Sequence, residues 1–270
     1  MSAGSFAGLL DPVRVVARAA ADSILAVYQD DFAIRHKDDA SPLTQADLAA
    51  HARIVEGLRT FSDWPILSEE SPIPPYAERQ AWTHYWLVDP LDGTKEFIKR
   101  NGEFTVNIAL IADCRPVLGV VLAPATGVCY YAAVGCGAFR ATFEGAVQPL
   151  RVRVPCPSPP TVVISASHRT PALDDYLQRL PAYQLLAIGS SLKFCRIAEG
   201  VADVYPRLGP TCEWDTAAAQ CVVEQAGGRV VDLAGRALRY NTRDNLLNPY
   251  FFVIADDRQP WLDYYCVMNP

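Results

Sequence analysis

The feature that most constrains the fold is the stretch Trp86–Phe97, where an apolar run ends in two carboxylates three residues apart. The apolar residues that begin it can be buried in a sheet, whereas Pro90 lacks a backbone donor and is expected to end the ladder. Asp89 and Asp92 then project from the end of a strand, and Gly93 permits a tight turn. The motif predicts a strand that delivers carboxylates to a metal site, with an ordinary polar turn as the alternative.

Composition excludes several classes of protein. Half of the 270 residues are apolar, which is enough for a sizeable core, and the net charge of −6 disfavours binding to nucleic acid, although a local basic pocket could bind a phosphorylated small molecule. Eight scattered cysteines without Cys-x-x-Cys pairs predict neither a disulfide framework nor a zinc site. With no visible signal peptide or transmembrane run, we expect a cytoplasmic protein, which could still associate peripherally with the cytoplasmic side of the inner membrane.

The first half of the chain carries the pattern of helices followed by an antiparallel sheet. Apolar residues at helical spacing predict helices over Pro12–Tyr28 and from about Thr44 to Leu58. Four short strands between Phe104 and Thr142 are separated by glycine- or proline-containing turns, which is typical of an antiparallel meander. This half is therefore predicted to be α+β, with two helices packed on an antiparallel sheet.

The second half has a different organisation. The proline-rich segment Val154–Pro160 predicts a boundary between a subdomain of residues 1–154 and a subdomain of residues 161–270. Strands and helices alternate beyond the boundary, which indicates an α/β unit with a partly parallel sheet. Within it, Gly189–Ser191 opens a helix whose free N–H groups could bind a phosphate, and a plain serine N-cap is the alternative.

Four acids at the ends of predicted elements are candidate metal ligands: Glu69, Asp89, Asp92 and Asp215. Converging carboxylates repel one another unless cations neutralise them, and oxygen donors without His or Cys select Mg²⁺, Mn²⁺ or Ca²⁺ over zinc. Two such ions could activate water and stabilise the leaving oxygen of a phosphate ester. A loop position for Glu69 and a helix N-cap role for Asp215 are the alternatives.

Three segments, Leu67–Glu70, Trp86–Phe97 and Trp214–Ala218, resemble in order and spacing the inositol monophosphatase superfamily of magnesium-dependent, lithium-sensitive phosphatases. Two others, Ile98–Asn107 and Gly189–Cys195, are similar to the bacterial 3'(2'),5'-bisphosphate nucleotidases within that superfamily. The similarity covers nearly the whole chain. It implies a five-layer αβαβα sandwich of the α/β class, which is compatible with the two halves predicted above.

The resemblance also implies a metal centre and a set of catalytic residues. The implied ligands of two or three Mg²⁺ ions, with Mn²⁺ as a substitute and Li⁺ as an inhibitor, are Glu69, Asp89, the backbone carbonyl of Leu91, Asp92 and Asp215. Thr94 would position the attacking water with Asp47 as its partner, and Glu69 is counted with them among the catalytic residues. A helix-capping pair of Asp47 with Thr44 is the alternative.

Most contacts to a nucleotide would come from the second half. The residues that the resemblance implies for substrate binding are Gly93, Thr94, Lys95, His168, Ser190, Lys193, Arg207 and Asp215. Cations are expected among them because a bisphosphorylated nucleotide carries one phosphate that is not cleaved. A loop role for His168 and a surface role for Arg207 stay open as alternatives.

The leading prediction is a phosphoric monoester hydrolase of sulfur metabolism, a 3'(2'),5'-bisphosphate nucleotidase that converts 3'-phosphoadenosine 5'-phosphate to AMP and phosphate. An inositol or sugar monophosphatase is a second enzyme reading. A non-catalytic nucleotide or metal sensor on the same scaffold is a third, which Thr94 disfavours because a sensor does not need a water-positioning hydroxyl. The sequence is compatible with either a monomer or a homodimer.

Overall fold

The computed structural model describes residues 6–29, 45–142 and 145–265. Within these ranges the helices are α1 (Leu10–Gln29), α2 (Gln45–Arg59), α3 (Tyr76–Arg79), α4 (Thr94–Ile98), α5 (Pro171–Arg179), α6 (Leu192–Ala198) and α7 (Ala217–Gln225), with 3₁₀ helices at Ala7–Leu9, Glu213–Asp215 and Trp261–Tyr264. The strands are β1 (Ile66–Ser68), β2 (His84–Asp92), β3 (Thr105–Ala112), β4 (Arg115–Ala123), β5 (Val128–Ala133), β6 (Gly137–Thr142), β7 (Gln148–Pro149), β8 (Thr161–Ser165), β9 (Gln184–Ile188), β10 (Val204–Arg207), β11 (Arg229–Asp232) and β12 (Phe251–Ile254).

The first sheet contains seven strands in the order β1-β2-β3-β4-β5-β6-β7. Strand β1 runs parallel to β2, and each of the other neighbouring pairs is antiparallel. The predicted meander is therefore confirmed. Every residue of β3 is buried, because helices cover both faces of the sheet.

The second sheet contains five strands in the order β11-β12-β10-β8-β9. Strands β10, β8 and β9 are parallel, which confirms the predicted partly parallel sheet. No sequence pattern predicts β12, which pairs antiparallel with both β10 and β11. Its four residues are all buried, and an apolar run of that length has no period that identifies it as a strand.

Helices and sheets alternate in five layers, as predicted. Helices α1 and α2 pack together on one face of the first sheet, while α6 and α7 pack together between the two sheets. Helix α5 contributes Leu173, Tyr176 and Leu177 to a core on the outer face of the second sheet. The middle layer lies very close to the first sheet, since a Cβ at Gly119 would come within 2.1 Å of the carbonyl oxygen of Ala218.

One local prediction is wrong. Pro90 does not end the ladder, because β2 continues to Asp92 and pairs with β3 on both sides of the proline. The register shifts between Asp89 and Asp92, where an irregularity in β2 places two residues opposite Val106 alone. A proline is tolerated at such a bulge because its position lies outside the regular hydrogen-bonding pattern.

Other predictions have mixed outcomes. Thr44 and the polar segment that precedes it lie outside the described residues, and the subdomain boundary near Val154 stays a prediction. The seven cysteines in the described ranges are free thiols. Among the described helices, each is too short or too polar to cross a membrane.

Candidate active site

The bulge at the end of β2 places the predicted carboxylates. The Asp89 carboxylate accepts the N–H of Leu91 at 3.0 Å, so it is fixed by the chain that follows it. Gly93 then adopts φ +94°, and a Cβ there would lie 3.0 Å from the carbonyl oxygen of Glu103 and 3.2 Å from Cβ of Ser190. Glycine is required at this position for both its conformation and its close packing.

A cavity of about 250 Å³ opens at this point between the two sheets. Of the predicted site residues it is lined by Glu69, Asp89, Leu91, Asp92, Gly93, Thr94, Lys95, His168, Ser190, Lys193, Arg207 and Asp215. Asp47 does not line it. That residue is buried in the first turn of α2, and its charge contributes to raising the pKa of Glu69 and of Asp89, so it lies near these two acids.

Three acids form the tightest group in the cavity, which we call the carboxylate cluster: Glu69, Asp89 and Asp215. One carboxylate oxygen from each lies within 4.8 Å of the other two. Glu69 follows β1, whereas Asp215 ends the 3₁₀ helix and is held by the N–H of Cys212, which donates to its Oδ2 at 3.0 Å. Asp215 is not the N-cap of α7, because Thr216 occupies that position.

Partial desolvation makes the charges of this cluster costly, although only Asp89 is fully buried, Asp215 is half-buried and Glu69 is exposed. Desolvation raises the pKa of Glu69 to about 8 and the pKa of Asp215 to about 7, and neighbouring carboxylates, Asp215 and Asp92 respectively, add to these shifts. For Glu69, the direction of the shift follows from its acidic neighbours as well. Burial followed by the charge of Glu69 also raises the pKa of Asp89, which is 1% exposed. A set of closely spaced oxygen donors that repel one another fits a hard divalent cation, whose charge would offset both the desolvation and the repulsion.

The opposite wall of the cavity is basic. Lys193 is buried, its Nζ donates to the carbonyl of Ser190, and burial lowers its pKa to about 8 against the opposing effect of Asp92. Arg207 is 9% exposed, so the surface alternative for it is wrong. Its Nη2 donates to the carbonyl of Pro210 at 2.6 Å, while its buried Nε has no hydrogen-bond partner among the described residues. An unpaired buried donor on a cavity wall fits an anionic ligand.

Lys95 and His168 join the two halves of the chain at the cavity. The Nζ of Lys95 lies 3.0 Å from Nε2 of His168, so that nitrogen accepts and the ring is neutral in this arrangement. Burial, followed by the charges of Lys95 and Arg207, lowers the pKa of His168. His168 thus lies in a loop and also lines the cavity. A loop position is therefore compatible with the predicted role in substrate binding.

Sequence reasoning missed eight residues that line the cavity: Glu96, Ser165, Ser191, Phe194, Tyr205, Thr211, Thr216 and Phe251. Glu96 and Ser191 lie inside the quoted motifs, so their position next to predicted residues was an available signal. Tyr205 and Phe251 come from neighbouring strands β10 and β12, whose pairing places Phe251 opposite Arg207. That pairing joins residues more than 40 positions apart, and no local pattern indicates it.

The chain is similar in sequence to a known phosphatase family and to curated proteins within it. The inositol monophosphatase family model matches residues 9–257. The 3'(2'),5'-bisphosphate nucleotidase CysQ of Salmonella typhimurium is 52% identical over 248 residues, which cover 91% of this chain and 99% of that protein. The relative from Buchnera aphidicola that carries the same description is 41% identical over 92% of this chain and 94% of its own length.

Solved structures give the same result for the fold. The crystal structure of CysQ from Bacteroides thetaiotaomicron superposes with a TM-score of 0.80 at 41% identity, covering 90% of this chain and 96% of that one. An inositol monophosphatase from Anabaena superposes with a TM-score of 0.77 at 24% identity, covering 97% and 95%, and this likeness supports the fold alone.

Proposed function

This chain belongs to the inositol monophosphatase family, and from that premise we propose that it is a 3'(2'),5'-bisphosphate nucleotidase. Its substrate is 3'-phosphoadenosine 5'-phosphate, and its products are AMP and phosphate. The observation that carries the proposal is the meeting in one cavity of the carboxylate cluster with two buried cationic side chains, Lys193 and Arg207. A substrate with two phosphates needs both groups of side chains: the acids act at the phosphate whose bond breaks, and the cations bind the phosphate that stays.

The residues that would hold Mg²⁺ are Glu69, Asp89, Asp92, Asp215 and the carbonyl of Leu91. Members of this family depend on metal, and an all-oxygen donor set fits Mg²⁺, with two or three ions, Mn²⁺ as a substitute and inhibition by Li⁺ as parts of the proposal. When bound, the metal supplies Lewis acidity toward the phosphate and lowers the pKa of water.

The side chains around the cluster orient the nucleophile. Thr94 begins α4 at the cavity, where its hydroxyl can hold the attacking water in line with the scissile bond. Asp47 accepts a hydrogen bond from the Thr94 hydroxyl in this proposal and so fixes its direction. The pKa of Glu69 is raised to about 8, which suits a carboxyl that takes part in moving the proton of water.

The basic wall holds the phosphate that is not cleaved. Lys193 and the free Nε of Arg207 are the donors proposed for it, with Ser190 beside them and Lys95 and His168 at the entrance. Charge-assisted hydrogen bonds to phosphate are stronger than neutral ones, and a buried donor loses little entropy on binding. Preference for a bisphosphate over a monophosphate then follows from this wall.

Phosphate release tests the proposal. Turnover of 3'-phosphoadenosine 5'-phosphate is compared with that of inositol 1-phosphate at equal concentration, with Mg²⁺, without Mg²⁺, and with added Li⁺. Faster Mg²⁺-dependent turnover of the nucleotide is expected. A preference for inositol 1-phosphate would reject the assignment, and tight nucleotide binding without turnover would support a sensor instead.

The proposed location is the cytoplasm, because the seven described cysteines carry free thiols, which are typical of a reducing compartment. Cell fractionation tests it. Recovery in the membrane fraction, with release by salt, would instead place the protein peripherally on the cytoplasmic side of the inner membrane.

A further inference from the structure

A cluster of polar side chains lies directly behind the carboxylates of β2. It consists of Thr105 and Asn107 on β3 and Ser191 at the start of α6, and we call it the hydroxyl–amide cluster. In the register of the first sheet, Asp92 pairs with Thr105 and Asp89 pairs with Asn107. Because directly paired residues of antiparallel strands project from the same face, both cluster residues are neighbours of proposed metal ligands.

The three side chains form a closed ring of hydrogen bonds. The Ser191 hydroxyl donates to Oδ1 of Asn107 at 2.7 Å, and Nδ2 of Asn107 donates to Oγ1 of Thr105 at 3.3 Å. Since Ser191 has only one hydroxyl proton, the 2.8 Å contact between the two hydroxyl oxygens must be a donation from Thr105 to Ser191. All three residues are at most 2% exposed, so the ring is shielded from water.

The ring holds a turn that serves both walls of the cavity. Ser191 and Asp92 both line the cavity, and Thr105, whose hydroxyl donates to Ser191, is the strand partner of Asp92. Ser190, the residue before Ser191, has φ +45°, which is a costly conformation for a residue with a side chain. Its carbonyl accepts the Nζ of Lys193. The same turn is therefore tied to the strand partner of a carboxylate on one side and to a cation on the other.

We propose that Thr105 and Asn107 are positioning residues for the reaction, which act through Ser191 to keep its turn aligned with Asp92 on one side and with Lys193 on the other. This inference rests on the proposed function. The phosphate-binding and cation-binding sides of the cavity then share one rigid support, and loosening the ring weakens both. Partners of metal ligands typically change metal affinity by about 10- to 100-fold when they are removed.

A purely structural role for the ring gives a different expectation. Buried polar groups need partners in any protein, so loss of one hydroxyl lowers the melting temperature whatever its function. Tyr176→Phe provides a matched control, because the Tyr176 hydroxyl is also buried and donates to the carbonyl of Trp261 at 3.1 Å, on the outer face of the second sheet. It removes a buried hydroxyl far from the cavity.

The experiment compares Thr105→Val, Thr105→Ser and Tyr176→Phe in the full chain. Mn²⁺ binding to the metal-free protein is measured by electron paramagnetic resonance, AMP binding by calorimetry, and folding by circular dichroism and melting. We expect Thr105→Val to weaken Mn²⁺ binding about tenfold and to weaken AMP binding in the same direction. Thr105→Ser, which keeps the hydroxyl, should bind both ligands like the wild type, as should Tyr176→Phe.

Wild-type affinities in Thr105→Val would overturn the inference, whatever its melting temperature. If Thr105→Val does not fold, Asn107→Ala supplies the test, because it opens the ring while leaving the bond between Thr105 and Ser191. It should weaken Mn²⁺ binding by a smaller factor, and unchanged binding would again be contrary. These binding measurements need no turnover. An inactive wild type would therefore refute the proposed nucleotidase, while the Mn²⁺ and AMP affinities would still decide the positioning role.

Discussion

The acidic and basic walls of the cavity respond to burial in opposite ways. On the acidic wall, burial raises the pKa of Glu69 to about 8 and of Asp215 to about 7. On the basic wall, burial lowers the pKa of Lys193 to about 8 and lowers that of His168. In each case burial disfavours the charged form, and the opposite charges within the protein do not fully offset it.

The two walls compensate each other in part, through Lys193 and Arg207 on one side and Asp92 and Asp215 on the other. The charge of Lys193 opposes the rise in pKa of Asp92, and Asp92 opposes the fall in pKa of Lys193. Within the carboxylate cluster, the causes described for Glu69 and Asp89 all raise the pKa, and the buried Nε of Arg207 has no hydrogen-bond partner among the described residues. A ligand that brings both cations and phosphates would complete the charge balance, and the predictions below separate the contributions of the two walls.

The largest effect is expected on the acidic wall. Asp89→Asn keeps the size of a side chain that is 1% exposed but removes its charge. We expect the loss of this charge to remove about 4 kcal/mol of the stabilisation that a bound metal would give the transition state, so Mg²⁺-dependent turnover should fall by about 10³-fold. Steady-state phosphate release checks this, with the exposed Asp22→Asn as the control. Undiminished turnover would remove Asp89 from the metal site.

On the basic wall we expect an effect on substrate binding. Lys193→Met keeps the length of the side chain but loses one charge-assisted contact to phosphate, so the KM for the bisphosphate rises about 10- to 100-fold with a smaller change in kcat. The KM for adenosine 3'-monophosphate, which lacks the second phosphate, should change much less. An equal rise for both substrates would show that Lys193 does not read the retained phosphate.

The pH dependence of stability separates the acidic wall from the rest of the molecule. Because the pKa of Glu69 is raised to about 8, the metal-free folded protein binds more protons at this site than the unfolded chain between about pH 4.5 and 8. The protonated Glu69 carboxyl therefore contributes to stability below that range, and this contribution is lost as pH rises through 8. Melting temperatures of metal-free protein should therefore fall with pH less steeply in Glu69→Gln than in the wild type.

Added Mg²⁺ should reverse this trend in the wild type, because the cation favours the ionised carboxylates. The control is the same pH series with Mg²⁺ for Glu69→Gln, where the recovery should be smaller. Identical pH profiles for the two proteins without metal would contradict the raised pKa.

A smaller effect is expected where the basic wall is anchored to the first sheet. The carboxylate of Glu199, just after α6, accepts bonds from Tyr130 at 2.9 Å, Arg140 at 2.6 Å and Arg196 at 2.7 Å. Glu199→Gln loses their charge assistance and should lower the free energy of unfolding by about 1–2 kcal/mol. Urea unfolding measures this change in the free energy of unfolding. The control is Asp22→Asn, which removes one charge of an exposed ion pair and should cost at most about 0.5 kcal/mol.

Much of the acidic wall could be predicted because its ligands lie in contiguous motifs. The run from Asp89 to Thr94 places an acid, a bulge, a glycine and a hydroxyl within six residues, and the structure keeps them at one end of the cavity. Pro90 misled the prediction, since its missing N–H argues against a regular ladder but not against a bulge. Thr105 and Asn107 had no predicted role, because alternation in a fully buried strand does not distinguish a polar ring from a core.

The sequence predicts the class of each half, the order of the longer strands and helices, and the acids that meet in the cavity, because periodicity and short-range spacing act through local geometry. The short elements α3, α4 and β7 carry too few residues for such a pattern. Only the tertiary structure shows that strand β12 pairs between β10 and β11, that Arg207 is buried with an unpaired Nε, and that the Ser191 hydroxyl bonds to Asn107 of β3. These features depend on contacts between residues far apart in the chain, and their energies come from burial, which exists only once the layers have packed.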